Sequence, residues 1–113
     1  MHEMSLAEGI IQVLETEGAK QGFTQVKTVW LEIGALAGVE VSALEFAFEV
    51  VRRGTLAEHA QLVIINLPAY AWCMPCAQGV EIRQRFEACP LCGSYQLQVS
   101  AGDEMRIKEL EVE

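Results

Sequence analysis

The chain has 113 residues, 51% of them hydrophobic, which is enough for one compact domain with a modest core. Its 16 acidic and 8 basic residues give a formal net charge of −8, so nucleic-acid phosphates and anionic membrane surfaces would on average repel it. The sequence contains neither a charged leader followed by an apolar run nor a stretch of about 18 apolar residues, so we expect a cytoplasmic protein without a membrane segment.

The N-terminal third predicts a helix followed by a strand. Ser5 and Glu8 form a capping-box pattern, and apolar residues then recur at steps of three and four positions, with glycines at 18 and 22 marking the end. The segment TQVKTVWLEIG follows and closes at Gly34. It is rich in β-branched and aromatic residues, which is typical of a strand buried on at least one face.

The same two elements are predicted again before the cysteines. Ser42 and Glu45 repeat the capping-box pattern, and Gly54 is a stop signal after the apolar stripe. The run AQLVIINLP predicts a second strand that ends at Pro68. The closing segment DEMRIKELEVE predicts a third strand with a bulge, because its apolar residues change parity midway.

This element order predicts an α+β fold in which two helices pack on a small three-stranded sheet. All four cysteines lie in residues 69–93, where few residues could form a core, so we predict an inserted zinc-ribbon module between the second and third strands. The predicted domains are 1–68 plus 103–113 for the α/β part and 69–102 for the insert.

The most specific pattern is the two CxxC pairs, CMPC and CPLC, separated by twelve residues. Four thiolates are the donor set of a closed tetrahedral zinc site, and the predicted ligands are Cys73, Cys76, Cys89 and Cys92. WCMPC is also similar to the W-C-x-P-C motif of thioredoxins, but AQGVEIRQ follows it with strand-like alternation where a thioredoxin has a helix. Redox chemistry and a labile iron or cluster site remain as alternatives to structural zinc.

A second candidate metal site lies at the amino terminus. The α-amine, the imidazole of His2 and the deprotonated amide nitrogen of His2 can close small chelate rings on one ion, and Glu3 can add an amide nitrogen or a carboxylate. Such nitrogen-rich sets favour Ni(II) or Cu(II) over zinc. The alternative is a solvated chain end that binds nothing.

The remaining candidates are interpreted as surface groups. His59 precedes the second predicted strand and is expected on the surface or in a turn. Glu40, Glu45 and Glu49 are expected on a solvated helix face.

Taken together, MHEMSLA, VWLEIGALAGVE, the pattern W-C-x2-C…C-P-x-C-G and the closing ELEVE resemble the HypA/HybF family, the nickel metallochaperones of NiFe-hydrogenase maturation. The resemblance covers essentially the whole chain. It implies a protein that is not an enzyme and that binds transported Ni(II) through Met1, His2 and Glu3. His2 would be the essential ligand, Glu3 would contribute or tune, and the four cysteines would hold structural Zn(II). The α/β part would then be the nickel-binding domain.

The resemblance also implies partners. These are the GTPase HypB and the large subunit of a NiFe hydrogenase, with SlyD or urease accessory proteins as further candidates, and we expect a monomer or a weak homodimer. Two other functions stay open from the residues alone: a thiol oxidoreductase that uses WCMPC, and a zinc-ribbon interaction module. A nucleic-acid-binding ribbon is disfavoured because Arg83 and Arg85 are balanced by Glu81 and Glu87.

Overall fold

The computed structural model describes residues 2–113, so Met1 lies outside the described residues. It contains two helices, α1 (Glu3–Gln21) and α2 (Val41–Val51), which pack against each other. Helix α1 ends at a left-handed Gly22, as the sequence predicts. Neither described helix combines the length with the apolar composition that spanning a membrane requires.

The predicted capping boxes are wrong. The N-cap residues are His2 and Glu40, and neither makes a side-chain capping hydrogen bond. A contact distant in sequence accounts for the difference, because the carboxylate of Glu3 accepts a hydrogen bond from the Glu40 N–H at 3.1 Å and so joins the starts of the two helices. Ser5 consequently lies inside α1, and Ser42 donates its hydroxyl to the Glu40 carboxylate at 2.9 Å.

Within residues 2–113, six strands form two three-stranded sheets. In chain order the strands are β1 (Val26–Gly34), β2 (Gln61–Leu67), β3 (Ala69–Cys73), β4 (Gln78–Ile82), β5 (Leu97–Ala101) and β6 (Met105–Val112). One sheet has the order β2-β1-β6 and contains the three predicted strands. The other has the order β4-β3-β5, with β3 antiparallel to both neighbours, and is formed within the cysteine segment. The predicted α+β class with an inserted module is confirmed.

The chain forms two compact units. The first consists of residues up to Leu31, Val39–Val63 and Ile107–Glu113, and the second consists of Glu32–Gly38 and Ile64–Arg106. Burial on α1 and α2 follows the helical period of the sequence, whereas β1, the central strand of its sheet, is buried at most of its positions. The buried apolar residues on α1, α2 and β1 are Ala7, Ile10, Ile11, Leu14, Leu44, Ala47, Phe48, Val26, Val29 and Leu31.

The second unit has its own core, contrary to the expectation that the cysteine segment could form almost none. Small residues on alternate positions of β3 build its centre, namely Ala69, Ala71 and Cys73, all fully buried. Val80 and Ile82 of β4 cover them, together with Cys89 and Leu36. Because two of the cysteines belong to this core, the metal site and the fold of the second unit depend on each other.

Two glycines pack the second unit tightly around the start of β3. Gly34 donates to the Glu104 carbonyl at 2.9 Å, and the Gly102 carbonyl accepts from the Leu36 N–H at 2.7 Å. A Cβ atom on Gly34 would lie 2.2 Å from the Gly102 oxygen, and one on Gly102 would lie 2.4 Å from the Ala69 Cα. Only glycine fits at either position.

Candidate metal centres

The first CxxC pair forms the turn between β3 and β4. Cys73 is the last residue of β3 and is opposite Gln78, the first residue of β4. The N–H of Ala77 donates to the Cys73 carbonyl at 2.8 Å, which closes the turn, and Ala77 has a left-handed backbone with φ of 53°. The turn brings the thiols of Cys73 and Cys76 to the same side.

The second pair has the same backbone arrangement. The N–H of Gly93 donates to the Cys89 carbonyl at 2.9 Å, and Gly93 has φ of 78°. The Cys89 N–H also donates to the Ser94 carbonyl at 2.7 Å. The two turns are therefore equivalent, except that the left-handed position holds glycine in the second and alanine in the first.

The four sulfur atoms converge. The Sγ atoms of Cys73, Cys76, Cys89 and Cys92 all lie within 4.8 Å of one another, and those of Cys73 and Cys92 are 3.6 Å apart. A tetrahedral zinc ion with bonds of about 2.3 Å requires sulfur separations of about 3.8 Å, so the donor set fits zinc in chemistry and size. All four cysteines are free thiols, of which Cys73 and Cys89 are buried.

The surroundings of the thiols give them different pKa values. Burial acts to raise the pKa of Cys89, but the N–H groups of Leu91 and Cys92 donate to its sulfur and lower the pKa to about 7. Hydrogen bonds with the Cys92 and Cys73 thiols, followed by burial, raise the pKa of Cys76 to about 12. Burial also raises the pKa of Cys73. Zinc binding must therefore displace protons from Cys73 and Cys76, whereas Cys89 gives up its proton more readily.

A four-thiolate zinc ion has no open coordination position, so what it would supply here is cross-linking of the two turns. The thioredoxin-type alternative is wrong for this chain. That chemistry requires the first cysteine exposed at a helix N-terminus with a lowered pKa, whereas Cys73 ends a strand, is fully buried, and has a raised pKa.

The predicted nickel ligands lie at the start of α1. His2 is exposed and precedes the helix, and its carbonyl accepts the Leu6 N–H at 2.8 Å. Its imidazole makes no capping hydrogen bond. Glu3 is 8% exposed and its carboxylate binds the Glu40 N–H. Met1 lies outside the described residues, so the geometry of the proposed chelate at its amine is not described.

The other sequence candidates lie apart from these clusters. His59 is exposed in a turn, as expected. Glu45 and Glu49 are exposed on α2, as expected. Glu40 has a role that sequence reasoning missed, since its N–H anchors Glu3. The sequence signal for this contact was Glu3, an acidic residue at the first position of α1, but nothing in the sequence identified its partner 37 positions away.

Comparison with known proteins agrees with this arrangement. A family model described as hydrogenase/urease nickel incorporation, metallochaperone, hypA matches residues 1–112. Proteins named hydrogenase maturation factor HypA from Azotobacter chroococcum mcd 1 and Azotobacter vinelandii are 64% and 59% identical over 113 residues, which is 100% of each chain. The solution structure of the Ni metallochaperone HypA from Helicobacter pylori matches with a TM-score of 0.72 at 26% identity, covering 99% of this chain and 97% of that chain. The chain therefore belongs to the HypA family of non-catalytic nickel metallochaperones for hydrogenase maturation.

Proposed function

We propose that this chain binds Ni(II) at its amino terminus and transfers the ion to the large subunit of a NiFe hydrogenase. The ligands in this proposal are the α-amine of Met1 and the imidazole and amide nitrogen of His2, and Glu3 contributes to the site or tunes it. Cys73, Cys76, Cys89 and Cys92 hold a structural zinc ion and do not exchange with the transported metal. In this assignment the nickel-binding domain is 1–68 plus 103–113, and the zinc-binding insert is 69–102.

The observation that carries the proposal is the placement of His2. Its imidazole is exposed and is not used to cap α1, so it remains available to a metal. As an N-cap residue it also has an amide that lies outside the intrahelical hydrogen-bond ladder, so replacing that amide proton by nickel breaks no helical hydrogen bond. A deprotonated amide is anionic, and the N-terminus of a helix stabilises negative charge.

Glu3 acts in the proposal chiefly by positioning the terminus. Its carboxylate is engaged by the Glu40 N–H and the side chain is buried, which holds the first turn of α1 beside the start of α2. This contact fixes the backbone immediately after His2. Removing it should weaken nickel binding less than removing a ligand does.

The site suits a carrier rather than a storage protein. An exposed terminal chelate can be approached by a second protein while the ion is still bound, so the metal can pass from one ligand set to the next. We propose the GTPase HypB and the hydrogenase large subunit as the partners of this transfer, with SlyD and urease accessory proteins as further candidates. We place the protein in the cytoplasm, where four free thiols stay reduced and available to zinc.

The experiment is a nickel titration of the untagged, zinc-loaded chain beside two histidine variants. His2→Ala should weaken Ni(II) binding by about 100-fold or more, because outer-shell partners alone contribute about 10- to 100-fold to metal affinity. His59→Ala, which removes the other exposed histidine, should bind nickel as the parent does. Zinc content should be the same in all three proteins. Equal nickel affinity in the parent and His2→Ala would refute the assignment.

A further inference from the structure

The four thiols of the second unit differ in their exposure to solvent. Cys73 is fully buried, Cys89 is 3% exposed and Cys76 is half-buried, whereas Cys92 is exposed. A Cβ atom on the next residue, Gly93, would meet nothing within 4 Å, so the space beside this turn is open. The susceptibility of a thiol to oxidation follows its exposure, so a small oxidant in solution should react first with the sulfur of Cys92.

The sulfur of Cys92 is in direct contact with a sulfur of the other CxxC turn. Its Sγ lies 3.6 Å from the Sγ of Cys73, which is 19 positions away in the sequence. The Sγ of Cys89, in the same turn as Cys92, instead accepts a hydrogen bond from the Leu91 N–H at 3.4 Å. A bond from Cys92 to Cys89 would disrupt this contact, whereas a disulfide between Cys92 and Cys73 requires their sulfurs to approach by about 1.5 Å. The arrangement therefore favours a cross-link between the two turns.

Such a cross-link would preserve the fold of the second unit while abolishing its metal site. In the zinc-loaded protein the ion connects the two turns, and a Cys73–Cys92 disulfide connects the same turns covalently. Cys73 keeps its place in the core of the second unit. Only Cys76 and Cys89 would then remain as thiolate ligands, and two thiolates do not complete the tetrahedral shell that holds structural zinc.

We propose that Cys73 and Cys92 form a peroxide-sensitive modification site, at which oxidation to a disulfide releases zinc from the folded chain. The thiolate of Cys92 attacks hydrogen peroxide and breaks the O–O bond, which leaves a sulfenic acid on Cys92 and a hydroxide ion. The thiolate of Cys73 then attacks that sulfur, so the S–S bond forms and the S–O bond breaks with loss of a second hydroxide. The two thiolates together lose two electrons, and two protons from solvent convert the hydroxides to water.

This inference rests on the structural zinc site of the proposed function and adds a chemical modification to it. The chain is the target of oxidation here, and it is not a disulfide reductase. The proposed nickel ligands at Met1 and His2 carry no thiol. A nickel titration of the untreated chain therefore tests the proposed function separately, and either of the two can fail while the other stands.

The test treats the untagged, zinc-loaded chain with a small molar excess of hydrogen peroxide. Zinc release is followed with a chromogenic chelator, free thiols are then blocked, and tryptic peptides are analysed by mass spectrometry. Trypsin cleaves after Arg83 and Arg85 and so separates the two CxxC pairs. A disulfide between the turns joins peptides 54–83 and 86–106, whereas a disulfide within either pair leaves these peptides unlinked.

The expected product is one linked pair of peptides for each zinc ion released, bonded through Cys73 and Cys92. Pro75 and Pro90 each stand between the two cysteines of a pair, so fragmentation before each proline identifies the bonded thiol. The far-UV circular dichroism of the oxidised chain should be unchanged. Reduction with a dithiol and addition of zinc should then restore the original zinc content.

Two variants separate this thiol chemistry from other oxidative damage. Met74→Leu removes an oxidisable side chain that is 60% exposed in the first turn, and its zinc release should match that of the parent. Cys92→Ser removes the exposed thiol, so the remaining thiols should be oxidised at least about tenfold more slowly. If Cys92→Ser does not retain zinc, the peptide maps of the parent and of Met74→Leu decide the question, since both proteins keep all four ligands.

Several outcomes would overturn the proposal. These are disulfides confined to the individual CxxC pairs, sulfonic acid on Cys92 without any disulfide, or full retention of zinc after peroxide treatment. Loss of the far-UV signal before zinc is released would show that unfolding, and not the cross-link, removes the metal. Equal rates of thiol loss in the parent and in a zinc-loaded Cys92→Ser would show that the exposed thiol is not the one that reacts first.

Discussion

Substitution of Gly102 by alanine should destabilise the second unit strongly. Gly102 has φ of 95°, and a Cβ atom there would lie 2.4 Å from the Cα and 2.5 Å from the Cβ of Ala69, and 2.8 Å from the Pro68 oxygen. Ala69 is fully buried, so it has little room to move. Left-handed strain of about 1–2 kcal/mol and overpacking of about 1–3 kcal/mol together predict a loss of about 2–5 kcal/mol in the free energy of unfolding.

The effect should also reach the zinc site, because Ala69 and Cys73 are the two ends of β3. The assay is urea unfolding of the zinc-loaded chain followed by tryptophan fluorescence, since Trp72 lies in β3 and Trp30 in β1. Zinc retained after dialysis is measured in parallel and should decrease in Gly102→Ala.

The matched control is Gly9→Ala in α1, where an added Cβ atom meets nothing within 4 Å. This change should stabilise the protein by about 0.5–1 kcal/mol, because alanine is the better helix former. If the free energy of unfolding of Gly102→Ala lies within about 0.5 kcal/mol of that of the parent and the variant keeps its zinc, then the close packing at the start of β3 does not contribute the predicted stability.

Three further predictions concern the metal sites. Ala77→Gly should stabilise the zinc-loaded chain by up to about 1 kcal/mol and Gly93→Ala should destabilise it by about 1–2 kcal/mol, because both positions have a left-handed backbone. Thermal unfolding measures both changes, and a change of the same sign in the two variants would contradict the equivalence of the turns. Above about pH 7, zinc affinity should rise by at least about 100-fold per pH unit, because the raised pKa values of Cys73 and Cys76 alone require two protons to be displaced. Chelator competition measures this, and a slope below tenfold per unit would show that those thiols are not protonated. Glu3→Gln keeps an oxygen acceptor for the Glu40 N–H and should bind nickel nearly as the parent does, whereas Glu3→Ala should bind nickel about tenfold more weakly. The control Glu8→Ala should bind nickel as the parent does. Equal losses of nickel affinity in Glu3→Gln and Glu3→Ala would indicate that the carboxylate itself is a ligand.

Most of the first unit could be predicted from sequence because periodicity reports burial directly. Ala7 and Leu14 of α1 recur on one face, and the β-branched runs became β1 and β2. The helix starts could not be located, since the contact between Glu3 and Glu40 joins positions distant in sequence. Local capping patterns compete with such contacts and carry no information about them.

The second unit was harder to predict for a different physical reason. Its central strand buries alanines and a cysteine instead of large apolar residues, so composition gave little sign of a core. The cysteine spacing nevertheless located the four thiols that the fold brings together, because each CxxC turn is a local structure. Phe86 has a left-handed backbone in a turn closed by a hydrogen bond from the Arg83 N–H to the Glu87 carboxylate, and sequence patterns do not report this contact.

The central claim is that transported nickel and structural zinc occupy different ligand sets in one chain. X-ray absorption at the nickel and zinc edges of untagged protein loaded with one equivalent of each metal tests it most directly. The account predicts nickel surrounded by nitrogen and oxygen with imidazole scattering and no sulfur, and zinc surrounded by four sulfurs at about 2.3 Å. Sulfur in the first shell of nickel, or nickel scattering that is unchanged in His2→Ala, would contradict the account.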